Sequence, residues 1–246
     1  MCYDEPDRLT EFQRNEEEDA VIMLTTGTEW TTAFTDLLNG LIAIIPIVWC
    51  LTRKPFIKRY RLWAAAFGML SAMSIAGFFA HGFVMSQTAL DILWCVLYLF
   101  MTFMVCAYVI AVKYDLDRDE GLDRFFKTSI TLAVIVAVCL GVMEFFLPDY
   151  SFWVFSAYAL GNMIYCLIRL WGRAKETSGF WWYIVGIIVM IVGSVLQMVK
   201  SIHFTIVWEY NYNAVYHFFI LLFILIQFNG IGLVAKQETF PDGTEE

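Results

Sequence analysis

Of the three histidines in this 246-residue chain, His81 and His217 have acidic or amide residues in helical register with them or a short step away. Imidazole titrates near neutral pH and ligates metals, so these are the first places to look for chemistry. Asn213 and His217 are four residues apart and would share one helix face, which Ile220, Ile224 and Gln227 continue inward. Glu29, Thr32, Asp36 and Asn39 follow at steps of three, four and three, a single stripe carrying two acids. Ser71, Ser74 and His81 make another face, and Asp91 stands ten residues beyond His81. Together these side chains could move protons, hold a divalent metal or bind a polar ligand group.

The elements that must position them are membrane spans. The chain is 60% apolar, with a mean hydropathy of +0.64, and its charges sit in gaps between apolar runs. Each run matches the roughly 20 residues that about 30 Å of hydrocarbon requires. The pattern predicts an all-α, seven-helix polytopic membrane protein with spans near 30–52, 62–85, 89–113, 126–147, 151–173, 179–200 and 212–236. The transmembrane domain then occupies 29–237, between an acidic amino-terminal tail (1–28) expected to be disordered and a short acidic tail (238–246). The start has no signal-peptide pattern, so the first span would direct insertion.

Thirteen of the sixteen Lys and Arg fall on one side of these spans, and only Arg8, Arg14 and Lys200 on the other. The positive-inside rule therefore places the amino terminus outside and the carboxyl terminus in the cytoplasm, in a multi-pass protein expected at the cell membrane. All nine Trp lie near span ends, as an interfacial aromatic belt would. Cys50, Cys95, Cys106, Cys139 and Cys166 lie inside apolar runs without paired spacing and read as small hydrophobic residues. The charged run Tyr114 to Arg124 reads as a solvated loop. Nothing resembles a phosphate-binding loop or a basic aromatic surface, which sets nucleic acid aside as a partner and leaves membrane lipids.

With these boundaries, Asp36, His81, Asp91 and His217 lie about 4 to 9 Å below the outer interface, in one shallow layer. An ionisable side chain deep in lipid costs about 2.5–3.5 kcal/mol or more, so a group of them is read first as a functional site. The competing reading is structural: polar side chains near helix ends snorkel or hydrogen-bond between helices, at about 0.6 kcal/mol each. His203, in the loop between the last two spans, fits that reading better, as do Asn162, Ser194 and Gln197.

A His near the end of the second helix, an Asp opening the third and a polar-x-x-x-His opening the seventh resemble the superfamily of alkaline ceramidases and progestin/adiponectin receptors. By position His81, Asp91 and His217 match, and the step from His81 to Asp91 is similar to the ceramidase branch, as is Glu29-Trp30 before the first span. Two positions depart from the family pattern: Gly77 stands where its helix-two Ser would be, with Ser74 one turn earlier, and Asn213 replaces the first His of the helix-seven pair. The resemblance implies zinc held by His81, His217 and Asp91, with Asp91 or Asp36 accepting the proton of a bound water and Ser74 nearby. Glu29, Asn213, Gln227 and His203 are further polar lining candidates.

On this basis the expected function is metal-dependent hydrolysis of a lipid amide or ester near the outer leaflet. A non-catalytic receptor or sensor is the alternative that Gly77 and Asn213 favour, and a solute or proton carrier would use Glu29, Asp36 and Asp91. A shared site would also require the second, third and seventh helices to be mutual neighbours.

Overall fold

Backbone amides in lipid find no water, so an apolar run that crosses must satisfy them within itself, and even segments rich in Val, Ile and Phe become helices. The computed structural model describes residues 23–24, 27–53 and 58–239. Among them are α1 (Thr28–Thr52), α2 (Lys58–Gly82), α3 (Gln87–Asp117), α4 (Leu122–Phe146), α5 (Pro148–Arg173), α6 (Ser178–Gln197) and α7 (Tyr212–Thr239). All seven are long and apolar enough to cross a membrane. Most of the acidic tail (1–22 and 25–26) and residues 240–246 lie outside the described residues.

Local chemistry sets the ends. Ser86 opens α3 by accepting the Ala89 N–H at 3.3 Å, and Thr177 opens α6 by accepting that of Gly179 at 3.2 Å. Asn211 does the same for α7, its side-chain oxygen accepting the Ala214 N–H at 2.9 Å. Gly121, at φ 63°, takes the left-handed turn before α4. Two short antiparallel ladders lie at the end of the bundle where α1 begins: β1 (Met23–Leu24) pairs with β2 (Phe83–Val84), and β3 (His203–Thr205) with β4 (Glu209–Asn211). β1 belongs to the stretch expected to be tail; its pairing extends the ordered chain back past α1.

Two expectations about the opposite end are corrected. Lys58–Arg61, expected in a loop, form the first turn of α2, and α3 runs past 113 to Asp117. Arg59 and Asp115 pair in the interior, fully shielded from solvent, which draws both helices onward. Asp115 is therefore core rather than solvated loop.

Neighbouring helices close a ring in the order α1, α2, α3, α5, α6, α7 and back to α1, with α4 outside against α3 and α5. The short turns between α2 and α3 and between α4 and α5 make antiparallel neighbours as expected. The seventh helix does not pack between the second and third: it lies on α1 and α6, and α1 separates it from α2. Small residues allow the tight contacts, as where Gly179 of α6 faces Gly230 of α7.

Candidate functional site

The site begins with the α1 stripe. Its polar residues point at α2 and α7 rather than at lipid. Glu29 Oε2 lies 2.8 Å from His81 Nδ1, at the end of α2. Thr32 donates to Asn211 Oδ1 at 3.0 Å, and Asn39 Nδ2 donates to the His217 carbonyl at 3.0 Å. Thr35, which the sequence reading passed over, has its hydroxyl 3.0 Å from His217 Nδ1. Asp36 Oδ1 stands 3.4 Å from His217 Nε2, with both residues buried.

His217 Nδ1 lies 3.2 Å from the Thr32 carbonyl, to which it can donate, and 3.0 Å from the Thr35 hydroxyl, from which it can accept, so these contacts fit either neutral tautomer. With hydrogen on Nε2 a neutral ring donates to the Asp36 carboxylate, and with hydrogen on Nδ1 it turns Nε2 to Asp36 as an acceptor. The contact is attractive only if the Asp36–His217 pair holds a proton between them, on imidazole or on carboxyl. An ionised Glu29 can only accept, which puts a hydrogen on His81 Nδ1. The two rings lie 6.2 Å apart, centre to centre.

Asp36, His81 and His217 share a cavity of about 140 Å³ inside the ring. Its polar floor also includes Asn213, whose side-chain oxygen accepts from Gln197 of α6 at 3.2 Å. Its wall is aromatic and sulfur-rich, with Trp94, Tyr98 and Met101 from α3 and Phe152 and Trp153 from α5. Trp94 stands edge-on to His81, 5.8 Å between centres, so this tryptophan forms a wall of the site. Trp153 and Met198 line the cavity yet are 50% and 43% exposed, which marks an opening between α5 and α6.

Gly77 acquires a reason here. A Cβ at this position would stand 2.9 Å from Asp36 Cγ, so the residue that departs from the helix-two Ser pattern is what gives the Asp36 carboxylate its space.

Four expected site residues are not brought into this group. Asp91 is half-buried on the first turn of α3, accepts from Gln87 Nε2 at 2.6 Å, and does not line the cavity. The partner four residues earlier on its own helix holds it there. Ser74 is buried outside the cavity lining, and its hydroxyl has no hydrogen-bond partner among the described residues. Gln227 lies about 15 Å farther along α7 than His217 at about 1.5 Å per residue, where Nε2 donates to the Tyr183 carbonyl at 3.1 Å. His203 is exposed on β3, opposite Asn211 in the ladder. Asp36, His81, His217, Glu29 and Asn213 are the expected residues that meet.

The expected zinc set is not brought together in this arrangement. Its third member, Asp91, is turned to Gln87, and the carboxylates that are near, Glu29 and Asp36, already face imidazole nitrogens. Among the described residues no three His, Cys, Asp or Glu side chains stand in position to hold one ion.

The geometry spans α1, α2 and α7, and the same stretch of chain is what a family comparison recognises. The chain belongs to DUF6962, a family of unknown function. The match covers residues 31–236, taking in Asp36, His81, Asn213 and His217 and leaving Glu29 just outside. No match was found among the curated proteins.

Proposed function

We propose that this DUF6962 protein binds a small amphiphile through the cavity between α3, α5 and α7, exchanging a proton with its polar group at the Asp36–His217 pair. The role is one of binding or sensing. The observation that carries it is the joining, in one cavity, of a proton-holding floor to an aromatic wall that opens between helices. Size limits what enters: about 140 Å³ is close to the roughly 150 Å³ of an engineered cavity that takes one benzene. A headgroup or a ring fits, and the remainder of the molecule must leave beside Trp153 and Met198.

The full chain, purified from membranes, is expected to carry an amphiphile detectable by mass spectrometry. His217→Ala is expected to reduce its occupancy about tenfold, the equivalent of about 1.4 kcal/mol. Asp91→Asn should leave occupancy unchanged. Equal occupancy in wild type and His217→Ala would overturn the reading.

A second reading, zinc-dependent hydrolysis of a lipid amide or ester, is favoured by one feature: each histidine has its Nδ1 anchored to a carboxylate or carbonyl, the habit of metal-ligating histidines. One zinc per wild-type chain, lost in His81→Ala and His217→Ala, together with turnover of a lipid amide, would decide for it. The orientation that accompanies either reading puts the α1-start end outside the cell. Cysteine at Thr205 should then react with an impermeant thiol reagent on intact cells and cysteine at Asp119 should not; the reverse pattern would invert the bundle.

A further inference from the structure

The other end of the bundle holds a second cavity, of about 380 Å³, between the last turns of α1 and α7 beside the start of α2. Its floor is aromatic. Trp49 meets Tyr60 edge-on at 5.7 Å and Phe228 at 5.4 Å. Arg53 and Lys236 form its rim, and the Arg53 guanidinium lies 4.3 Å over the Trp49 ring. The basic side chains at this end that are buried or half-buried have an acid: Arg59 has Asp115, and Lys113 and Arg169 have Asp117, whereas Arg53 and Lys236 are exposed. Arg53 and Lys236 have no carboxylate partner among the described residues. Cations at helix carboxyl ends are common because they complement the helix dipole, but a dipole does not require a cavity between them. This one falls within the about 300–1,000 Å³ typical of ligand pockets.

We infer that this cavity is a binding site for an anionic phospholipid, its phosphate between Arg53 and Lys236 and its glycerol over the Trp49–Phe228 floor. Three features choose a lipid over a free phosphate. The site lies at the end of spans long enough to cross a bilayer, where headgroups would meet it. Leu225 and Leu233 continue its lining with apolar surface, and Leu222, one turn before Leu225 on α7, is 47% exposed, a track for an acyl chain. Thirteen of the sixteen Lys and Arg lie on this side of the spans, and the leaflet that attracts such charge is the one rich in anionic lipid.

The test uses the full chain in nanodiscs of phosphatidylcholine with a minor share of phosphatidylglycerol. Lipid retained after transfer to detergent is counted by native mass spectrometry. The Arg53→Gln/Lys236→Gln variant is expected to lower retained phosphatidylglycerol about tenfold or more. Lys127→Gln/Lys175→Gln, which removes two exposed charges at the same end, should leave it unchanged. Should the double variant fold poorly, Gly232→Phe serves instead: a Cβ there meets nothing within 4 Å, so the ring fills the cavity and should expel the lipid with both cations intact. Equal retention in the rim and control variants, or in Gly232→Phe and wild type, would overturn the assignment. Protection against thermal unfolding by inorganic phosphate or glycerol 3-phosphate equal to that by phosphatidylglycerol would overturn it in favour of a soluble anion.

Discussion

The two ends of this bundle each bury acids with bases, and they use them in opposite ways. Near the start of α1, imidazoles face carboxylates around an open cavity, and Asp36 and His217 are 3.4 Å apart. At the other end Asp115 is saturated. It pairs with Arg59, accepts from Trp63 Nε1 at 2.9 Å and from the Tyr183 hydroxyl at 2.7 Å. Guanidinium does not give up its proton, so this node is a permanent ion pair sealed by aromatic rings. Histidine makes the first cluster exchangeable, and the cavity gives it something to exchange with. Burial of charge marks neither cluster as functional; a labile proton beside open volume is what separates them.

The largest expected effect lies at the sealed node. Asp115→Ala leaves the Arg59 charge buried and alone, which should cost about 3–5 kcal/mol of stability. The thermal unfolding of the detergent-purified chain reads this. A loss no greater than that of Asp119→Ala, on the exposed pair with Lys58, would make the two kinds of ion pair equivalent and remove the contrast.

A smaller effect sharpens the cavity side. Gly77→Ala forces a methyl against the Asp36 carboxylate and should cost about 1–3 kcal/mol as overpacking, with loss of bound amphiphile. Adding Asp36→Ser should restore the stability but not the binding. A double variant no more stable than Gly77→Ala alone would show that the strain has another source.

Much of this contrast was written in helical periodicity. The stripe Glu29, Thr32, Asp36 and Asn39 is visible because a helix repeats its face every three to four residues; Glu29, Asp36 and Asn39 make the interhelical contacts that such a face implies, and Thr32 meets Asn211 just before α7. Seven spans were legible for the same kind of reason, since lipid thickness sets their length. Partner choice was not legible. Asp91 fits a site by depth alone, but depth says nothing of rotation about α3, and Gln87 on its own helix engages it. Arg59 and Asp115 lie in charged stretches that read as solvated, because burial of a distant pair depends on two helices meeting. Trp63 and Trp94 sit near span ends like belt residues, yet one seals the Asp115 node and the other walls the cavity.

Both acids of the open cluster ride on α1, Glu29 toward α2 and Asp36 toward α7. One helix is therefore the common denominator of two hydrogen-bond ledgers on opposite neighbours. A turn of α1 about its axis by a single residue, about 100° at 3.6 residues per turn, would vacate the His81 and the His217 contacts together. The two pairs cannot be retuned separately by moving the backbone. Only side-chain substitution can alter one and spare the other.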